Sequence, residues 1–205
     1  MWCLPVHAMP RNSTARPSRG RRALPCRPPS HGAAYWKHPI FSGCCPPFYN
    51  NLGKRVTKAP KLYMLDPAIV CYLTRQPSGQ AALAGAMGGA FFEGLMVMEA
   101  VKYFTNTGLK PALWYWRSHD GLEVDLIPQT NATFVPIEIK LTATPTTAHL
   151  DSLKRFRALS GEKICEPGIL VCRVPDRQPL PYGITALPWQ DFSRWIAERI
   201  GAPND

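Results

Sequence analysis

The stretch "GLEVDLIPQTNATFVPIEIK", Gly121 to Lys140, limits what this chain can fold into more than any other. Two apolar runs flank a turn-forming patch, Gln129 to Ala132, so the segment reads as two strands of a meander. Both runs carry charge near their centres: Glu123 and Asp125 in the first, Glu138 and Lys140 in the second. Alternate residues of a strand share a face. Val124 and Leu126 are therefore expected to point one way, with Glu123 and Asp125 opposite. Ile137 and Ile139 are expected to face a core, with Glu138 and Lys140 on the other side. If the two strands are neighbours, Asp125, Glu138 and Lys140 converge.

Two carboxylates held within a few ångströms repel unless a cation sits between them. A hard cation such as Mg²⁺ (or Mn²⁺) takes oxygen ligands, usually one or two carboxylates plus waters. A lysine beside it can orient or deprotonate a water and neutralise charge on a phosphate. Asp125 and Glu138 are thus candidate metal ligands, and Lys140 a candidate catalytic group. Glu93, inside the apolar stretch "GAFFEGLMVM", adds a fourth group from a helix. The bland alternative is a Glu–Lys surface pair on the exposed face of a meander. Placement at strand centres, after a helix with an acid in its apolar half, weighs against that alternative.

The surrounding text supplies a mixed α/β frame. "KLYML" reads as a short strand, and Asp66 followed by Pro67 caps a helix that stops near Arg75, with Ile69, Val70, Tyr72 and Leu73 as its apolar face. A long helix runs from about Gly88 to Phe104 and ends at "NTG". "ALWYWRS", "LEVDLI" and "TFVPIEIKL" form a three-strand meander, with Pro136 suggesting an edge or bulge. "TTAHLDSLKRFRAL" is a helix with Leu150, Leu153, Phe156 and Leu159 on one face. "GILVCRV" reads as a buried strand, "ITALPW" as another, and "PWQDFSRWIAERI" as a closing amphipathic helix.

Residues 1–45 differ from the rest. They hold Arg11, Arg16, Arg19, Arg21, Arg22, Arg27 and Lys37 and no acid, so most of the net charge of +10 belongs to them. With no sustained apolar period they are expected to be a disordered basic tail, and a domain is expected over 46–205. The charge is consequently poor support for nucleic-acid binding by the folded part. The apolar run from Ala81 to Met98 approaches spanning length, but it contains Glu93 and four glycines, Gly85, Gly88, Gly89 and Gly94. It reads as a buried helix and not a membrane span. Seven cysteines without a C-x-x-C pair read as reduced thiols of a cytoplasmic protein.

"VD" on one strand followed by "EIK" on the next resembles the core motif of the PD-(D/E)XK nuclease superfamily, and Glu93 resembles the acid on that superfamily's first helix. The blocks "PPFYNNLGKRVTKAPKLYMLDPAIVCYL", "GAFFEGLMVMEAVKYF", "LWYWRSHDGLEVDLI" and "VPIEIKLT" are similar to the C-terminal domain of a family of prokaryotic AAA-type ATPases, domain of unknown function 4143. The resemblance covers about Pro46 to Ile200. It implies a restriction-endonuclease-like α/β fold and a Mg²⁺- or Mn²⁺-dependent DNA nuclease. In that reading Asp125, Glu138 and the Ile139 carbonyl hold the metal, Lys140 positions water and Glu93 assists. Members of the family carry an ATPase before this domain. This sequence has no G-x-x-x-x-G-K-[ST], so any ATPase partner acts in trans. Pro- and Arg-rich text upstream of "GCCPP" makes a truncated or frame-disrupted gene the expectation for the first 45 residues. Two rival readings stay open: a non-catalytic DNA-binding or regulatory module of such an ATPase, and a non-functional gene remnant.

Overall fold

The computed structural model describes residues 4–5, 42–48, 59–64, 66–130 and 133–200. The expected disordered tail lies largely outside them. Its described parts are β1 (Leu4–Pro5) and β2 (Ser42–Cys45), which both run antiparallel to β3 (Lys61–Met64) in a three-stranded sheet. The Asp66 carboxylate accepts the Ala68 N–H at 2.8 Å and starts α1 (Pro67–Leu73). The apolar face expected for α1 is not buried as a face: Val70 is buried, whereas Tyr72 and Leu73 are exposed. Val70 is the residue of this two-turn helix that enters the core, with Cys71 partly buried against it.

The apolar run from Ala81 onward is broken in two, as α2 (Gly79–Ala84) and α3 (Gly88–Asn106). The break needs Gly88, because a Cβ there would lie 2.1 Å from the Leu83 carbonyl oxygen. Most of α3 is buried, through Phe91, Phe92, Met96, Val97, Ala100, Val101 and Phe104. No helix among the described residues is long and apolar enough to cross a membrane.

The main sheet has six strands: β4 (Leu113–Arg117), β5 (Glu123–Pro128), β6 (Ile137–Ile139), β7 (Ile169–Cys172), β8 (Gln178–Pro179) and β9 (Thr185–Pro188). Their order is β4-β5-β6-β7-β9-β8. The first three form the antiparallel meander read from sequence; β6, β7 and β9 are parallel; β8 closes the far edge antiparallel. Helix α4 (Asp151–Ser160) connects β6 to β7, and α5 (Phe192–Ile200) follows β9. One face of the sheet packs Leu126, Ile137, Ile139, Val171 and Leu187 against α3 and α5. The other packs Trp116, Val124, Ile127, Leu170 and Ala186 against Leu150, Leu153 and Phe156. The mixed α/β class expected from sequence is the class observed.

Three local expectations change. Strand β6 is central and short, and Pro136 precedes it without marking an edge. Proline lacks only a donor, and the Pro136 carbonyl still accepts the Ile169 N–H at 3.0 Å. Leu159 lies exposed in the last turn of α4. Lastly, Val124 and Leu126 do not share a face. The β4–β5 register passes from Trp114↔Ile127 to Trp116↔Val124, so β5 holds one residue more than β4 between those pairs. This bulge breaks the alternation, sending Val124 and Ile127 to the α4 side and Leu126 to the α3 side.

Candidate functional site

Glu93 of α3 meets Glu123 and Asp125 of β5, and one carboxylate oxygen from each lies within 4.8 Å of the others. The Lys61 ammonium, from β3, pairs with all three: 3.1 Å from Glu93 Oε1, 3.8 Å from Asp125 Oδ1, and in contact with Glu123 Oε1. Tyr63 shares the inward face of β3 and donates its hydroxyl to Glu93 Oε1 at 2.8 Å. Lys61 Nζ also lies 5.9 Å from the Tyr63 ring centre and 5.4 Å from that of Tyr115. Arg117 Nε holds the other Glu123 oxygen at 2.9 Å.

Asp125 ties this cluster to β6. β5 and β6 are in register at Leu126↔Ile137. Two residues on, the Ile139 N–H goes to Asp125 Oδ2 at 2.9 Å, so a side chain takes a donor that a strand ladder would give to backbone. Asp125 lies within the bulged stretch of β5, between Val124 and Ile127. Lys140 Nζ lies 3.6 Å from Asp125 Oδ2 and 2.5 Å from Glu138 Oε1. The Ser152 hydroxyl, at the start of α4, donates to Glu138 Oε2 at 2.7 Å.

The residues singled out in the sequence therefore come together, in a different arrangement. Asp125 groups with Glu93 and Glu123. Glu138 turns to the α4 side of β6, where Ser152 holds it and Lys140 links it to Asp125. Ile139 meets Asp125 through its N–H. Sequence reasoning did not assign Lys61, Tyr63, Glu123, Arg117 or Ser152 to the site. Glu123 carried a signal, since it shares Asp125's strand and face. Lys61 carried none, because a lysine opening a short strand reads as solvent-facing.

The charges shift one another. Burial raises the Glu93 carboxyl, but the Lys61 charge and the hydrogen bonds from Tyr63 and Lys61 outweigh it, leaving Glu93 below its ordinary value. Burial, then the charge of Glu93, push Asp125 up against the pull of Lys140 and Lys61. Burial and Asp125 push Glu138 up to about 8, against Lys140 and Ser152. Burial opposes the charge on Lys140, but Asp125 and Glu138 override it and hold the ammonium above its ordinary value. Lys140 therefore stays charged at neutral pH, as a cation with N–H groups to donate.

A family model described as "Domain of unknown function (DUF4143)" matches residues 88–192, which contain Glu93, Glu123, Asp125, Glu138 and Lys140; Lys61 precedes that stretch. Uncharacterized proteins of Mycobacterium bovis and Mycobacterium tuberculosis are each 28% identical to this chain over 100 residues, 49% of this chain and 22% of the relative. The matched part of the chain thus spans about a fifth of the length of these curated relatives. No solved structure matches it. With half of its length under the family model, the chain belongs to the family described as Domain of unknown function (DUF4143).

Proposed function

We propose that this is a metal-dependent phosphodiester hydrolase acting on DNA, of the PD-(D/E)XK type its sequence resembles. It would work in the cytoplasm as the C-terminal part of an AAA-type ATPase, or beside one in trans. The observation that supports this reading is the gathering of Glu93, Glu123, Asp125, Glu138 and Lys140 around the β5–β6 seam. Hard-cation bonds of about 2.0–2.6 Å bridge oxygens up to about 5 Å apart. The oxygens of Glu93, Glu123 and Asp125, all within 4.8 Å of one another, suit such a cation in kind and spacing. Bound there, Mg²⁺ or Mn²⁺ would supply Lewis-acid polarisation of a phosphate oxygen and an acidified water. The chain's own part is to hold charge. Lys140 offers positive charge and N–H donors to a phosphate oxygen, and Ser152 fixes the Glu138 carboxyl group that orients Lys140.

The test is cleavage of supercoiled and single-stranded DNA by the full chain with Mg²⁺ or Mn²⁺. Asp125→Asn should abolish both metal binding and cleavage, since a neutral amide is a poor ligand for a hard cation. Lys140→Ala should retain metal and lose about 100-fold or more in rate, the usual size of losing one charge-stabilising donor. A folded chain that cleaves neither DNA, as wild type or with Lys61 shortened to Met, removes the reading. The second reading, a DNA-binding module without catalysis, is favoured by the Lys61 ammonium lying against the same three carboxylates. It predicts salt-sensitive DNA binding, from phosphate contacts, that Asp125→Asn leaves unchanged.

A further inference from the structure

Burial on β3 runs against hydropathy. Lys61 is 4% exposed and Leu62 is 38% exposed, so the strand turns its lysine inward and its leucine out. A fully buried lysine is rare unless paired, and here its described partners include Glu93, Glu123 and Asp125. Those are the same carboxylates whose spacing suits a divalent cation. Among the described residues Lys61 is the one cation within salt-bridge distance of Glu93, whereas Glu123 also has Arg117 and Asp125 also has Lys140. The three carboxylates Glu93, Glu123 and Asp125 already face, among the described residues, the three cations Lys61, Lys140 and Arg117. A divalent cation added beside Lys61 would lie within a few ångströms of an ammonium in a poorly solvated place, where like charges repel strongly. β3 reaches the site from a different sheet, one joined to the main sheet through the Pro47↔Tyr115 bridge and anchored by the buried Tyr63. That sheet is the three-stranded one with β1 and β2, outside the six-stranded one.

We propose that Lys61 is the built-in counter-ion of this carboxylate cage, and that a divalent cation enters only by displacing it. Strand β3 is then a latch that keeps the site closed to metal until it is lifted. This rests on the metal-dependent reading above and adds its regulation: metal and lysine exclude one another.

Two measurements on the full chain test it. The first is Mn²⁺ affinity, by calorimetry or the loss of free-Mn²⁺ paramagnetic signal, for wild type and Lys61→Met. The variant is expected to bind at least about tenfold more tightly, as removing a like charge beside a cation implies. Adding Asp125→Asn to the variant should abolish the binding. The second needs no variant and decides the matter if Lys61→Met fails to fold. An amine-reactive acetylating reagent is applied with and without Mn²⁺, and each lysine is quantified by peptide mass spectrometry. Lys61 labelling should rise severalfold with Mn²⁺, while Lys102, paired with Glu99 on exposed helix surface, stays constant. Equal Mn²⁺ affinity in both proteins with unmoved Lys61 labelling overturns the latch and leaves the metal reading standing. No Mn²⁺ binding by either protein overturns both.

Discussion

Burial and the neighbouring Asp125 push the Glu138 carboxyl up to about 8, from an unfolded value of about 4.5. The folded chain therefore binds an extra proton between those two values, and stability from this group is full below about 4.5 and lost as pH rises through about 8. Asp125, also raised, adds to the fall, whereas Glu93, lowered, opposes it at more acid pH. Glu138→Gln is neutral throughout and can still accept from Ser152. Between pH 5.5 and 8, urea denaturation should show it gaining at least about 1 kcal/mol on the metal-free wild type, as one unit of pKa shift is worth about 1.4 kcal/mol. A constant difference between the two proteins would mean that Glu138 ionises normally. Tyr63→Phe is the complementary change. It strips Glu93 of a donor at 2.8 Å and should cost about 1–2 kcal/mol, read in the same experiment. At this scale the sequence disclosed the residues that break an apolar pattern: Asp125, Glu138 and Lys140 in strands, Glu93 in a helix. It concealed Lys61, Tyr63 and Ser152, whose burial comes from distant segments closing over them.

Elements with local chemistry of their own were legible. Asp66–Pro67 starts a helix wherever it lands, and the wholly apolar "GILVC" suits only a strand covered on both faces. What no local pattern announces is the bulge in β5, because an extra residue is defined only against the partner strand. The same holds for β8, two residues long and made a strand by pairing with β9. The turn into β7 offers a sharp test of this scale. Gly168 has φ of +96°, and a Cβ added there would lie 2.5 Å from the Pro136 carbonyl oxygen, which also accepts the Ile169 N–H. Gly168→Ala should cost about 2 kcal/mol or more through backbone strain and overlap, as a lowered urea midpoint with an unchanged slope. An unaltered midpoint would show that β6 and β7 tolerate separation at their start.

Among the described residues, the six-stranded sheet carries two cores, one on each face, and the site draws side chains from both faces. The α4 core depends on Phe156, fully buried against Trp116 and Phe48. Phe156→Ala should cost about 3–5 kcal/mol in chemical denaturation. Residues 88–192 supply the carboxylates, but Lys61, which pairs with three of them, comes from β3, and β3 pairs with β2, inside the segment read from sequence as a tail. Pairing across that distance has no local signature, so a domain boundary at Pro46 was the natural reading of composition. Deleting residues 1–45 removes both partners of β3. The shortened chain should denature at lower urea and acetylate faster at Lys61; identical behaviour would make β1 and β2 irrelevant to the site.

Cys45 ends β2, fully buried, with its sulfur 4.0 Å from the Leu113 carbonyl oxygen, and its backbone pairs with Lys61. A thiol reagent can reach that sulfur only while β2 is out of place, so its rate of modification under native conditions is a clock for the opening of the small sheet. When reclosing outpaces the reagent, the rate is the opening equilibrium multiplied by the reactivity of an unprotected cysteine, and its logarithm gives the free energy of that one motion. Cys165 and Cys172, buried in the α4 core, report the rest of the fold in the same tube. A Cys45 rate that exceeds theirs and responds to Mn²⁺ would describe a hinge; three equal rates would describe a chain that opens only by unfolding throughout.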